Sequence, residues 1–281
     1  MIHEEGDNVQ YESLGHMPRA PLAYSLAMIE YATVPRIADH ADAIMEELRA
    51  EYPDIKEFNV TSLKVEIDAA TGDNKAHQHV VTQWRMNSPE SDFGFVFGTD
   101  RLVVHTTSYQ HFDCFAGKIR KIAEVISKAA NIKYSKSIGI RHIDNISPID
   151  GMELSQLLKP GYLCPPQNVS LSPLKSRVEF VYKSEHGRLY VRAYQLSNHP
   201  RVPQDLFPLA SELAPEVDLM APVPDTFILA DTDHIYSPNK LEPFEIDKII
   251  STLDSLHQQC SLGFREMVAD EAITAWKQED K

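Results

Sequence analysis

Two apolar stripes at helical spacing constrain this chain most, because each closes a run of strand-like segments. Phe112, Phe115, Ile119, Ile122 and Ile126 recur at three- and four-residue intervals, which puts them on one face of a helix ending near Ala130. Phe244, Ile249, Ile250, Leu253, Leu256, Cys260, Phe264 and Met267 repeat the pattern in a terminal helix predicted from Pro243 to Trp276. An amphipathic helix must bury its stripe against another element. The segments preceding each stripe alternate with period two, so the surface on offer is a sheet.

The first half reads as a strand over 22–32, a helix opened by Val34-Pro35, and strands over 58–67, 79–86, 93–97 and 102–107, followed by the first stripe. Pro near the first helical position is pre-set for a helix, and Tyr52-Pro53 ends it. Thr71-Gly72-Asp73-Asn74 reads as a turn, and Thr107 or Ser108 as the N-cap of the helix through Phe112. The second half reads as a strand over 135–143, a short helix around 152–158, and a hairpin of 177–183 with 188–195 about Glu185-His186-Gly187. A Pro-rich stretch from Pro200 to Pro224, a strand over 227–236 and the terminal helix complete it. The expectation is an α+β fold of two similar halves, each β-α-β(3-4)-α, with antiparallel sheets covered on one face by helices. Residues 1–18 form an acidic, disordered N-terminus, 19–132 the first half and 133–281 the second, packed together as one unit. The uncovered sheet faces then meet or form a cleft between the halves.

At 281 residues the chain is long enough to bury about 70–75% of the surface its unfolded form exposes. It needs no covalent or metal staple. Its three cysteines are odd in number, widely spaced and free of any CxxC pair, which fits a reducing cytosol and neither a disulfide framework nor a structural zinc site. Cys114 and Cys260 read as small core residues. The N-terminus has no basic and apolar regions of a signal peptide, and no apolar run reaches about 18 residues. The reading is therefore cytoplasmic, with no membrane partner. A net charge of −14 repels phosphate backbones, and no dense Lys/Arg array offsets it, so nucleic-acid binding is disfavoured. A basic protein partner or a cation is favoured.

No Walker loop, GxGxxG, HExxH, GxSxG or CxxC occurs, so no catalytic residue and no cofactor site is assigned. Three polar constellations remain. His77 and His79 share one face of a strand and could chelate a divalent metal; a solvated strand start explains them as simply. Asp231, Asp233 and His234 combine two same-face carboxylates with an imidazole, a set suited to metal binding or acid–base work, or to an exposed sheet face. In Arg141-His142-Ile143-Asp144-Asn145, Arg141 is an anion clamp or a structural ion pair, and His142 points to the other face. His105 and His111 bracket Thr106-Thr107-Ser108-Tyr109, a polar cup or a helix cap. His257, beside the terminal stripe and above Asp254, reads as a packing or surface residue.

Four segments carry a resemblance in order: PLAYSLAMIEYATVP, FGFVFGTDRLVVHTTSYQHFDCF, SKSIGIRHIDNI and LDSLHQQCSLGFREMVADEAITAW. Together they resemble a sporadically distributed family of bacterial and archaeal proteins with no assigned activity. The resemblance spans most of the chain, weakens over 200–224, and implies an aromatic where this chain has His142. It transfers no catalytic residue. Such a distribution resembles that of mobile elements and defence modules, which implies a partner, immunity or regulatory role. The leading expectation is thus a non-catalytic binding or regulatory protein, an accessory, antitoxin-like or immunity-type component recognising a protein partner. The alternative is a metal-assisted enzyme or small-molecule binder using His77, His79, His105, His142, Asp231, Asp233 and His234 in a cleft between the halves. An apolar-ligand carrier on a curved sheet is a third reading.

Overall fold

A computed structural model describes residues 17–67, 74–164, 175–214 and 217–278, with backbone alone over 62–67 and 74–79. The acidic stretch 1–16 and most of the turn expected at 71–74 lie outside the described residues. The first strands are β1 (Leu22–Tyr31), β2 (Asp54–Ile67), β3 (Asn74–Asn87), β4 (Phe93–Phe97) and β5 (Arg101–Thr106). They are followed by β6 (Tyr134–Ile146), β7 (Ser176–Ser184), β8 (Gly187–Leu196), β9 (Phe227–Tyr236) and the two-residue β10 (Glu242–Pro243). All ten join one antiparallel sheet in the order β2-β3-β4-β5-β1-β6-β9-β8-β7, with β10 on β6. The protein is α+β, with helices α1 (Ala38–Leu48), α2 (Phe112–Ala130), α3 (Leu154–Leu157), α4 (Phe207–Ala210), α5 (Ile246–Met267) and α6 (Asp270–Trp276).

The first strand lies at the centre of this sheet. β1 pairs with β5 on one side and with β6 on the other, where Ser25, Ala27 and Ile29 stand opposite His142, Ile140 and Ile138. The sheet is therefore continuous across Asn131, the left-handed residue (φ 51°) that ends α2. Both neighbours bury β1, which explains its nearly unbroken apolar sequence.

Alternation along the strands builds two cores. Ala27, Ile29, Ile138, Ile140, Ile228 and Ala230 face the stripes of α1, α2, α5 and α6. Tyr24, Leu26, Val103, Ile143, Phe227 and Leu229 face the other way, against Val202, Leu206, Ala210, Leu213 and Leu219 of the Pro-rich stretch. The expected meeting of bare sheet faces, or a cleft between them, is therefore replaced. The sheet is single, and α4 with the loop residues about it, 202–213 and Leu219, covers the centre of its second face.

Several boundaries shift for local reasons. The N-cap of α2 is His111, whose ring accepts from the Cys114 amide at 3.4 Å, rather than Thr107 or Ser108. Cys114 consequently lies on the solvent side of the first turn and is exposed, while Cys260 is buried. The terminal helix breaks at Val268, which turns extended (ψ 151°) to bridge Leu158. The Lys159 amide donates to the Met267 carbonyl and the Ala269 amide to Leu157, so the α5–α6 junction is pinned by the α3 segment. Phe264 and Trp276 both end up buried, ring centroids 5.8 Å apart. Gly187 closes the β7–β8 hairpin at φ +137°, a conformation that a side chain disfavours.

Candidate functional site

The most concentrated polar chemistry on the helix-covered face lies where α5 crosses β6. Even-numbered residues of β6 point to that face, so His142 follows Ile138 and Ile140 into the core. The β1–β6 register sets Ser25 directly opposite it, and Ser25 Oγ lies 2.8 Å from His142 Nδ1. From above, α5 lowers His257, whose Nδ1 is 3.2 Å from His142 Nε2. One shared proton satisfies that nitrogen pair, with one ring donating and the other accepting. Tyr109 sits edge-on to His142 at 5.4 Å, and Phe112 stacks flat on His257 at 4.9 Å and 9°.

Electrostatics keep this pair neutral. Burial, and then the neighbouring His257, hold His142 well below the usual imidazole range. Burial also lowers His257, against the opposing pull of Asp254 and Asp113. A second imidazolium would be unpaired charge in an apolar setting. The chain Ser25–His142–His257 has the outline of a nucleophile with its base. Ser25, however, is 0% exposed, and a nucleophile must reach its substrate. The geometry is that of a hydrogen-bonded pillar joining β1, β6 and α5, with only its His257 end near the surface.

That end borders a groove between α2 and α5, about 400 Å³ in volume. Phe112, Ala116 and Ile250 line it with apolar surface, and Asp113, Asp247 and Asp254 contribute carboxylates. Arg120 bridges it to Asp247 at 2.6 Å. The remaining two carboxylates leave the groove acidic.

The opposite face carries an ion-pair ladder set by strand register. Glu179, Arg192 and Asp231 are directly paired across β7, β8 and β9. Asp231, 0% exposed, accepts from Arg141 Nε and Nη2 at 2.8 and 2.9 Å and from Arg192 Nη1 at 3.1 Å. Arg141 Nη1 donates to Asp205 at 2.6 Å, and Arg192 Nε to Glu179 at 2.7 Å. Burial disfavours the Arg141 charge, but the two carboxylates outweigh it and raise its pKa. Its guanidinium is held between two carboxylates, the arrangement of a structural ion pair. On the same face Tyr24 Oη lies 2.7 Å from His105 Nδ1. Burial first, and the Arg85 charge second, push His105 down to about 3.

These placements divide the sequence candidates. His142 and His234 face the helices; the His234 ring approaches the Leu256 carbonyl of α5 at 3.3 Å. His105, Asp231 and Asp233 occupy the opposite face. The sheet thus separates residues expected to converge in one cleft. His77 and His79 stand opposite Lys64 and Ser62 on the β2–β3 ribbon, and their side chains lie outside the described residues. Among the described residues, no three His, Cys, Asp or Glu side chains are grouped to hold a metal. Sequence reasoning did not single out Ser25, placed Tyr109 only in a polar cup or helix cap, and read His257 as a packing or surface residue. The available signal was His257 standing one residue past Leu256 on the stripe, over a strand position where the resemblance implied an aromatic.

No helix of the described chain is long and apolar enough to cross a membrane. No family model matches the sequence, and no curated protein matches it.

Proposed function

We propose that the protein is a non-catalytic binding or regulatory component, accessory or immunity-like, which recognises a basic segment of a protein partner in the α2–α5 groove. One observation carries the reading: an accessible groove with apolar lining and the carboxylates of Asp113 and Asp254 lies beside the hydrogen-bonded chain Ser25–His142–His257. An apolar lining with a charged rim suits a Lys- or Arg-bearing helix or strand, with the rim steering approach and the lining holding the docked chain. The chain's net charge of −14 adds long-range attraction for such a partner and repulsion for nucleic acid. A cytoplasmic setting accords with the odd number and wide spacing of the cysteines.

The strand order supports a duplicated plan beneath this function. β1 is followed by α1 and a meander whose last strand, β5, returns to β1 before α2. β6 is followed by α3 and a meander whose last strand, β9, returns to β6 before α5. In this reading the groove lies between the equivalent closing helices of two related units.

The test is capture from a lysate of the source organism with the tagged wild type and with Asp113→Lys/Asp254→Lys. The expected result is one stoichiometric basic protein, retained less at high salt and bound at least about tenfold more weakly by the variant. Recovery of no stoichiometric protein, or binding indifferent to salt and to the substitutions, overturns the reading.

A further inference from the structure

The sheet ends in an open edge at β7, to which no described residue adds a further strand. Edges this long are normally blunted or covered, because their unpaired amides and carbonyls template another strand. β7 instead presents three consecutive apolar residues, Phe180, Val181 and Tyr182, at 41%, 53% and 43% exposure. Phe180 and Tyr182 form an aromatic patch with Tyr162 on one face of the edge. Lys183 and Glu185, by contrast, make no ion pair with any described residue.

The charges along β7 are arranged so that the strand complements itself. In an antiparallel pair about a two-fold axis at Val181, Glu179 faces Lys183 of the other copy and Phe180 faces Tyr182, while Glu185 lies in the hairpin turn beyond the strand. Shifting the register by two residues one way sets Arg177 against Lys183. Shifting it the other way opposes Lys183 to Val181 and leaves Glu179 beyond the end of the other strand. Like charges directly opposite one another destabilise a strand pair and opposite charges support it, so of these three registers the Val181-centred one alone sets opposite charges face to face.

Backbone direction agrees. Ser184 and Gly187 close a two-residue hairpin, so Ser184, Tyr182 and Phe180 direct their amides and carbonyls to β8. The intervening Lys183, Val181 and Glu179 direct theirs at the open edge. Val181 then meets its own copy as a hydrogen-bonded pair on the axis.

We infer that β7 is a self-association edge: two copies of the chain pair β7 to β7, antiparallel and centred on Val181, making one sheet that runs through both. The surface is distinct from the α2–α5 groove, and either reading stands if the other fails.

Oxidative cross-linking tests it directly. Opposed residues of a hydrogen-bonded antiparallel pair lie about 5.5 Å apart at Cα, within reach of a disulfide. On a Cys114→Ser background, which removes the exposed native thiol, Val181→Cys is expected to give a covalent dimer on mild oxidation by a copper–phenanthroline complex. Lys183→Cys, which faces Glu179 rather than itself, is expected to give little. In sedimentation velocity the wild type is expected to run as a dimer. Val181→Pro, which removes an outward amide without touching the β8 ladder, is expected to run as a monomer with unchanged circular dichroism. Lys183→Glu is expected to weaken the dimer at least about tenfold. A wild type that sediments as a monomer at its solubility limit overturns the inference. So does a dimer that survives both substitutions, or equal cross-linking at 181 and 183.

Discussion

Burial pushes the Asp144 carboxyl up to about 7 from its ordinary 3.8, and no described residue hydrogen-bonds it. The folded chain therefore keeps a proton on Asp144 that the unfolded chain releases above pH 4. This stabilising term is complete below the unfolded value and is lost as pH rises through the folded one. The buried histidines act in the opposite sense. His105, lowered to about 3, contributes stability above its unfolded value of 6.5, lost as pH falls toward 3; His142 and His257 lose theirs over a window opening at the same point. Asp144→Asn isolates the carboxyl contribution. It is expected to leave stability at pH 4 nearly unchanged and to raise it at pH 8 by about 2–4 kcal/mol, read from urea melts at both pH values. An equal shift at both would show that Asp144 is already ionised or already paired in the fold. Sequence could offer a paired guanidinium as one reading of Arg141, since a buried arginine is normally paired, but it could not name Asp231 and Asp205 as the partners. It could not supply the His142–His257 contact, because the two residues are 115 positions apart and sit on different kinds of element.

The helix stripes, the hairpin about residues 185–187 and the strand positions were legible because each depends on local periodicity or turn chemistry. The break at Val268 was not, because a distant bridge to Leu158 and the amide of Lys159 overrides local helix preference there. The role of the 197–224 stretch was equally hidden. Its apolar residues follow neither period, and they make sense only over the sheet face they cover. Gly263 belongs to this non-local class. It lets α5 approach β8 so closely that an added methyl would sit 2.7 Å from Val191 Cγ2 and 3.3 Å from Leu189 Cδ2. Ala is ordinarily worth about 1 kcal/mol over Gly within a helix. Here the stiff Val191 side chain must give way, and overpacking typically costs about 1–3 kcal/mol. Gly263→Ala is expected to be neutral to destabilising by about 2 kcal/mol. Adding Val191→Ala should recover part of the loss in a double-mutant cycle. A clear gain in melting temperature from Gly263→Ala alone would mean that the contact is loose.

Across the whole molecule, the number and order of elements could be read from the sequence, but not the single sheet that unites the strands. Which strands lie side by side depends on pairing partners that period-two alternation leaves open. The β1–β6 seam ties residues on either side of position 132 into one sheet, and the two tryptophans report on its two ends. Trp84 stacks on Phe97 beyond β1, and Trp276 packs on Phe264 beneath α5. Single-tryptophan variants Trp84→Phe and Trp276→Phe are expected to unfold in urea at a midpoint each shares with its own circular dichroism signal, as all-or-none unfolding requires. A fluorescence midpoint that departs from the dichroism midpoint in either variant would show that the sheet does not unfold as one unit. The central place of β1 has a further consequence, for biogenesis. Ser25 finds His142 across 117 residues, so the middle of the sheet must wait on the ribosome until β6 has emerged. A topology of such high contact order folds in milliseconds to seconds rather than microseconds. Throughout that wait the nascent β1, apolar on both faces, is the segment most exposed to wrong pairing and aggregation.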